Sequence, residues 1–117
     1  MLFRSLPRII GDGMLRELAY TGRQFGAEQA RSIGLVNRVY PDQESLLAGV
    51  LEIAQEIAAK SPIAVTGTKA MISYMRDHTV NDGLEYVATW NAAMLQSNDL
   101  RVAIAAHMSK QKPEFVD

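Results

Sequence analysis

The sequence predicts a mainly α protein, and three observations carry that expectation. Apolar residues recur at the helical period through most of the 117-residue chain, the segments between these runs are short and rich in cap residues, and only one stretch has the composition of a strand. No low-complexity tract and no repeat at a fixed period interrupts the pattern.

Taken in order, Asp12 is placed to cap a helix that carries Leu15, Leu18 and Ala19 on one face, and Gly22 stands where a left-handed C-terminal cap is expected. A second short helix, about 27 to 33, ends at Gly34 by the same device. Leu35-Val36-Asn37-Arg38-Val39-Tyr40 is β-branched and aromatic, so it reads as a strand stopped by Pro41, with Arg23-Gln24-Phe25 as its local partner. Asp42 then caps a long helix in which Leu46, Val50, Ile53, Ala54, Ile57 and Ala58 follow the helical period. Ser61-Pro62 starts the next helix, to about 76, because Ser at the cap serves orphan N–H groups and Pro at the first position lacks one that is not needed. Thr79 with Asp82 resembles a capping box. The helix it opens, to about 96, carries Leu84, Val87, Ala88 and Leu95 on one side and Tyr86, Trp90 and Ala93 on another, and so asks for neighbours on both. Ser97-Asn98-Asp99 caps a last helix with Leu100, Ala103, Ile104, His107 and Met108 on one stripe, which Pro113 is expected to end. The tail 114–117 is expected to be loose unless Phe115 docks.

One domain is the ceiling for this length. A net charge of -1, from 12 basic and 13 acidic residues, provides no field to gather nucleic acid or anionic lipid. The absence of cysteine removes disulfides, thiolate nucleophiles and zinc–cysteine sites. Arginines interrupt the apolar opening, residues 1–10, before it reaches the length of a signal core or membrane span, so it reads as a first helical turn, with a transit peptide as the alternative, of a soluble, non-secreted protein.

The residues taken alone supply little chemistry. His78 and His107 have no second ligand at metal-binding spacing, and each reads as a polar or interfacial histidine. No Gly-x-Ser-x-Gly elbow presents a nucleophile, and Gly11-Asp12-Gly13 lacks the lysine and preceding strand of a phosphate loop. The carboxylates of Glu17, Glu28, Glu44, Glu52, Glu56, Asp82, Glu85 and Asp99 fall at helix starts or opposite apolar stripes, where caps and solvated charges sit. Lys110 and Lys112 near the final helix terminus either neutralise its carbonyls or reach a phosphate.

A run of segments goes further. Leu6-Pro7-Arg8-Ile9-Ile10-Gly11, Glu17-Leu18-Ala19-Tyr20-Thr21-Gly22-Arg23, Ala27-Glu28-Gln29-Ala30, Gly34-Leu35-Val36-Asn37-Arg38-Val39 and Ser61-Pro62-Ile63-Ala64 with Lys69 together resemble enoyl-CoA hydratase/isomerase (crotonase) proteins across nearly the whole chain. Arg76-Asp77-His78-Thr79-Val80, Tyr86-Val87-Ala88-Thr89-Trp90-Asn91 and Met94-Leu95-Gln96 are most similar to the dienoyl-CoA isomerase branch.

The resemblance implies the helical C-terminal, trimerisation region of the crotonase-like fold, with one or two short strands and with the ββα spiral core missing from this chain. It divides the chain into lead-in helices and a short strand pair over 1–41 and a helical oligomerisation region over 42–117. It implies fatty acyl-CoA as substrate, with coenzyme A as carrier and no other cofactor, and a thioester enolate held by two backbone N–H groups. Those donors and the proton-shuttling carboxylates belong to family segments upstream of Leu6, so no catalytic residue is assigned and no activity is expected of the chain by itself. One binding role follows: Lys110, in a basic stretch before Phe115, matches a family lysine that approaches the adenosine phosphate of CoA on a neighbouring subunit. The family usually has Arg where Gln111 stands and an aromatic where His107 stands. Self-association as a trimer or hexamer and a cytoplasmic or organelle-matrix location are implied as well. The alternative reading is a non-catalytic helical self-association module of the same ancestry.

Overall fold

The computed structural model describes residues 5–116. Residues 1–4 of the expected first helical turn, and Asp117 of the tail, lie outside them. A 3-10 turn at Leu6–Arg8 is followed by six helices: α1 (Asp12–Thr21), α2 (Ala27–Ser32), α3 (Gln43–Ala58), α4 (Pro62–Tyr74), α5 (Val80–Met94) and α6 (Asn98–Ser109). The chain forms two compact units, Met1–Gly49 and Val50–Asp117.

In the first unit α1 packs on the 3-10 turn, and the buried apolar residues are Ile10, Leu15 and Ala30. The cap of α1 differs from the expectation. Gly11, in extended conformation, occupies the cap position, while Asp12 is the first helical residue and accepts from the Arg16 guanidinium at 2.8 Å one turn on. An acid in the first turn suits the helix dipole, and the N–H of Leu15 still finds the Gly11 carbonyl at 3.0 Å. Gly22 ends α1 in the left-handed region, φ 60, as expected.

The expected strand at 35–40, with 23–25 as partner, is not formed; among the described residues there is no strand. The hydrogen bonds explain why. Gly34, at φ +78, sends its N–H to the Arg31 carbonyl at 3.1 Å, and Leu35 sends its own to Ala30 at 2.9 Å. This is the Schellman closure of α2. Val36 also donates to the Ala30 carbonyl, at 3.4 Å. The first two N–H groups of the candidate strand therefore complete the preceding helix, and a strand needs a partner's ladder that 23–25 does not provide. Further on, the ring of Tyr40 lies against Gly49, where a Cβ would meet the ring carbons and the hydroxyl.

Asp42 caps α3 as expected, accepting from the Ser45 N–H at 2.8 Å and the Ser45 hydroxyl at 2.6 Å. The apolar stripe of α3 is not core, however: Leu46, Val50 and Ile57 are exposed, with Leu47 and Leu51 beside them. Local caps and propensity suffice to form this helix while its stripe faces outward.

In the second unit Ser61 caps α4, its hydroxyl accepting from the Ala64 N–H at 3.1 Å. Thr79 and Asp82 form a complete reciprocal capping box at the start of α5, with Asp in the place usually held by Glu or Gln. α4 and α5 pack against each other through one buried glycine in each. The indole of Trp90 covers Gly67, and the thioether of Met75 covers Gly83. A ladder of rings runs along this contact: Trp90 to Tyr86 at 6.4 Å edge-on, Tyr86 to Tyr74 at 4.8 Å, and Tyr74 stacked on His78 at 3.6 Å. The expectation that α5 is covered on both sides is met on one. Tyr86 and Trp90 are half-buried, whereas Leu84 and Leu95 are 63% and 59% exposed. Helix α6 ends at Ser109, ahead of Pro113, because Lys110 takes the left-handed conformation that closes it.

Candidate functional site

The end of α6 is the one place where sequence reading assigned a binding role. Lys110 has φ 56 and ψ 34, and it alone among the described non-glycine residues has positive φ. Its N–H meets the His107 carbonyl at 3.2 Å, and the Gln111 N–H reaches back to Ala106 at 2.9 Å. This too is a Schellman closure, with lysine where glycine is usual. The left-handed backbone costs an L-residue about 1–2 kcal/mol, and strain of this kind gathers at functional positions. His107 and Lys110 are both exposed.

The reversal at Lys110 sends the tail toward the corner between α3 and α4. There an open groove of about 590 Å³ is lined by Glu56, Ala59, Lys60, Ser61, Lys112, Pro113 and Phe115. Phe115 is half-buried against this corner, so the tail is docked. Of the two lysines singled out in the sequence, the structure brings Lys112 to the groove and leaves Lys110 at the turn above it. Lys60 joins Lys112 without having been singled out. Its position between two helices carried no signal, because the pairing depends on where a tail 52 positions later in the sequence returns.

The corner is tied down by a carboxylate that had been read as a cap of its own helix. Ser97 caps α6, accepting from the Leu100 N–H at 3.4 Å. Asp99 instead reaches across to α4: its Oδ2 accepts from the Ser61 hydroxyl at 2.5 Å and from the Ile63 N–H at 3.4 Å, both part-buried. An acidic group there suits the positive end of α4. Beside it lies a second cavity of about 260 Å³, bounded by α4, α5 and α6, with Ile63, Trp90, Met94, Leu100 and Ala103 on its walls. It is largely apolar, and its one carboxylate, Asp99, is already engaged. In the first unit a cavity of about 440 Å³ is walled by Leu6, Ile10, Leu15, Leu18, Phe25 and Leu35.

Elsewhere the polar groups serve structure. His78 Nδ1 donates to the Tyr74 carbonyl at 2.8 Å and to Asp77 at 2.9 Å, which fixes the ring at the end of α4. The Ser45 hydroxyl holds Asp42 below the usual carboxylate range, and the Thr79 hydroxyl does the same for Asp82. Both are caps rather than proton donors. No group of three or more metal-binding side chains occurs among the described residues, and no helix there is long and apolar enough to cross a membrane.

The sequence pattern described as enoyl-CoA hydratase/isomerase matches residues 1–117. The chain belongs to the enoyl-CoA hydratase/isomerase family. It is 49% identical over 112 residues to the peroxisomal Delta(3,5)-Delta(2,4)-dienoyl-CoA isomerase of Arabidopsis thaliana, which covers 96% of this chain and 40% of that protein. It is 47% identical over 104 residues to the mitochondrial enzyme of Homo sapiens, covering 88% of this chain and 32% of that protein. The crystal structure of an enoyl-CoA hydratase from Bacillus anthracis superposes with a TM-score of 0.90 at 34% identity, over 96% of this chain and 43% of that one. The chain thus spans about two fifths or less of the length of these curated relatives.

These findings correct the expected fold class. The description of a C-terminal region with the ββα core missing does not stand, because the family pattern runs through residues 1–117 and the family's crystal structure superposes on 96% of the chain. The mainly helical character is as expected. The one or two strands are not present among the described residues.

Proposed function

We propose that the chain is part of an isomerase or hydratase acting on unsaturated fatty acyl-CoA, in the dienoyl-CoA isomerase branch. The observation that carries this reading is the 49% identity over 112 residues to a dienoyl-CoA isomerase. The reaction moves conjugated double bonds, or adds water, by way of a thioester enolate whose oxygen needs preorganised N–H donors.

Within that reaction the chain supplies binding and assembly. Its displaced carboxylates, Asp42 and Asp82, are shifted downward at helix caps, the opposite of a general acid held protonated near neutrality. The 117-residue chain alone is expected not to turn over substrate. Lys110 offers its ammonium to the adenosine phosphate of CoA on a neighbouring subunit; its left-handed backbone fixes the root of the side chain beyond the last turn of α6. Residues 42–117 self-associate as a trimer or hexamer, supported by exposed Leu47, Leu51, Leu84 and Leu95. The matrix of a peroxisome or mitochondrion is the proposed location, following the relatives' names.

The same exposed apolar residues favour the second reading, a self-association module without catalysis. Light scattering after size exclusion reads assembly, and absorbance with a dienoyl-CoA or enoyl-CoA reads turnover. Turnover by the chain alone overturns the inactivity. A stable oligomer that binds no acyl-CoA, alone or with the remainder of a family enzyme supplied in trans, selects the module.

A further inference from the structure

We infer that the rings along the α4–α5 contact form a relay that carries a one-electron oxidation away from Trp90 and onto Tyr86 and Tyr74. Trp90 is the single tryptophan of the chain, and among side chains without sulfur the indole and the phenols lose an electron most readily. This indole walls the apolar cavity between α4, α5 and α6 and covers Gly67 as well. It is half-buried, so an organic peroxyl radical, or another one-electron oxidant of that class, can take its electron there. The indole cation then releases its ring N–H proton to water and becomes a neutral indolyl radical. The chain has no cysteine, so no thiol of its own can repair it.

The neighbouring phenols can. Tyr86 lies one turn before Trp90 on α5, edge-on at 6.4 Å, and Tyr74 on α4 lies 4.8 Å from Tyr86. Electron exchange falls off exponentially with separation, so rings this near are the favoured donors. An indolyl radical is a stronger oxidant than a phenoxyl radical at neutral pH, which sets the direction. Tyr86 gives one electron to the indolyl radical and its phenolic proton to water, and water returns a proton to the indole nitrogen. Trp90 is thereby restored, and the unpaired electron rests on Tyr86 as a phenoxyl radical. The same exchange between the two tyrosines moves it to Tyr74. There the ladder ends, because the next ring, stacked at 3.6 Å, is the exposed imidazole of His78, which holds its electrons more tightly than a phenol. A thiol in solution then gives Tyr74 a hydrogen atom, leaving the phenol and a thiyl radical. Packing by itself requires only rings at these two places. Phenols add what phenylalanine lacks, an electron and a proton that leave together.

Pulse radiolysis of the 117-residue chain tests this, with the azidyl radical as oxidant because it takes an electron from indole in preference to phenol at neutral pH. Transient absorption should show the indolyl band decaying as the phenoxyl band rises, at a first-order rate independent of protein concentration. Tyr86→Phe keeps the ring and its packing but removes the phenol, and should slow that rise about tenfold or more, equivalent to about 1.4 kcal/mol on the barrier. Tyr74→Phe should leave the rise in place and change the electron paramagnetic resonance pattern of the frozen phenoxyl radical, which then stays on Tyr86. Replacing Tyr20 and Tyr40, which belong to the other compact unit, by phenylalanine should alter neither signal. Under a steady flux of an organic peroxyl radical with a small thiol present, peptide mass spectrometry should find Trp90 oxygenated several-fold more in Tyr86→Phe than in the parent. The relay is overturned by a phenoxyl rise that scales with protein concentration, by a rise unchanged in Tyr86→Phe, or by a resonance pattern unchanged in Tyr74→Phe. Neither acyl-CoA nor assembly enters these measurements, so their outcome is independent of the function proposed above.

Discussion

Replacing Lys110 by glycine separates two things that one residue does at the end of α6. The left-handed conformation costs a lysine about 1–2 kcal/mol, and glycine adopts it freely. Glycine also loses more freedom on folding, which returns about 0.5–1 kcal/mol of that gain. The net expectation is stabilisation by about 0.5–1 kcal/mol. For a chain of 117 residues unfolding with about 2.1 cal/mol/K per residue, this raises the melting temperature by about 2–4 °C. Thermal melts followed by far-ultraviolet circular dichroism measure it, with Lys110→Ala as the control. Alanine keeps the strain and removes only the exposed ammonium, so its melt should stay within about 1 °C of the parent. If Lys110 also reaches the CoA phosphate, both variants lose CoA affinity while only the glycine variant melts higher. A glycine variant that melts lower than the parent refutes the assignment of strain at this turn.

Three further outcomes follow from the packing and the caps. Gly67→Ala places a methyl against the rigid Trp90 indole and should cost about 1–3 kcal/mol, whereas Gly83→Ala meets the pliable Met75 side chain and should cost less; denaturant melts followed by Trp90 fluorescence rank the two. Asp99→Ala and Ser61→Ala should each destabilise by about 1–2 kcal/mol and the double variant by clearly less than their sum, since both remove one cross-helix bond; additive losses in the double-mutant cycle count against that bond. Asp42 and Asp82 have carboxyls lowered from the ordinary 3.8. A lowered folded value means that their stabilisation is fully present above 3.8 and disappears as pH falls through the folded value. The helical signal of the parent should therefore exceed that of an Asp42→Asn, Asp82→Asn variant at neutral pH, with the difference closing below about pH 4; a difference that is constant with pH contradicts the assigned cause.

The helices were legible because their ends are written within a few residues of one another. Ser61 with Ala64, Thr79 with Asp82, Asp42 with Ser45 and Ser97 with Leu100 are all three positions apart, so each bond closes whatever the rest of the chain does. The same locality hid two corrections. Asp12 looked like a cap but lies one residue inside α1, and Pro113 looked like a stop although Lys110 closes α6 earlier. At the candidate site Lys110 and Lys112 were visible as a basic pair. Their separation was not, because one left-handed residue between α6 and the tail sends the two side chains to different places.

By itself, then, the sequence determined the series of helices, most of their caps and membership of an acyl-CoA enzyme family, since these rest on short-range hydrogen bonds and on residues in fixed order. Tertiary structure alone decided the rest. Residues 35–40 have strand composition, yet a strand exists only where a partner supplies a ladder, and here Leu35 and Val36 spend their N–H groups closing α2. Asp99 had a local role available and took a distant one at Ser61, 38 positions away. Lys60 lines one groove with Lys112 and Phe115 because the chain turns back on itself, and a juxtaposition across that distance leaves no periodic trace in the residues that form it.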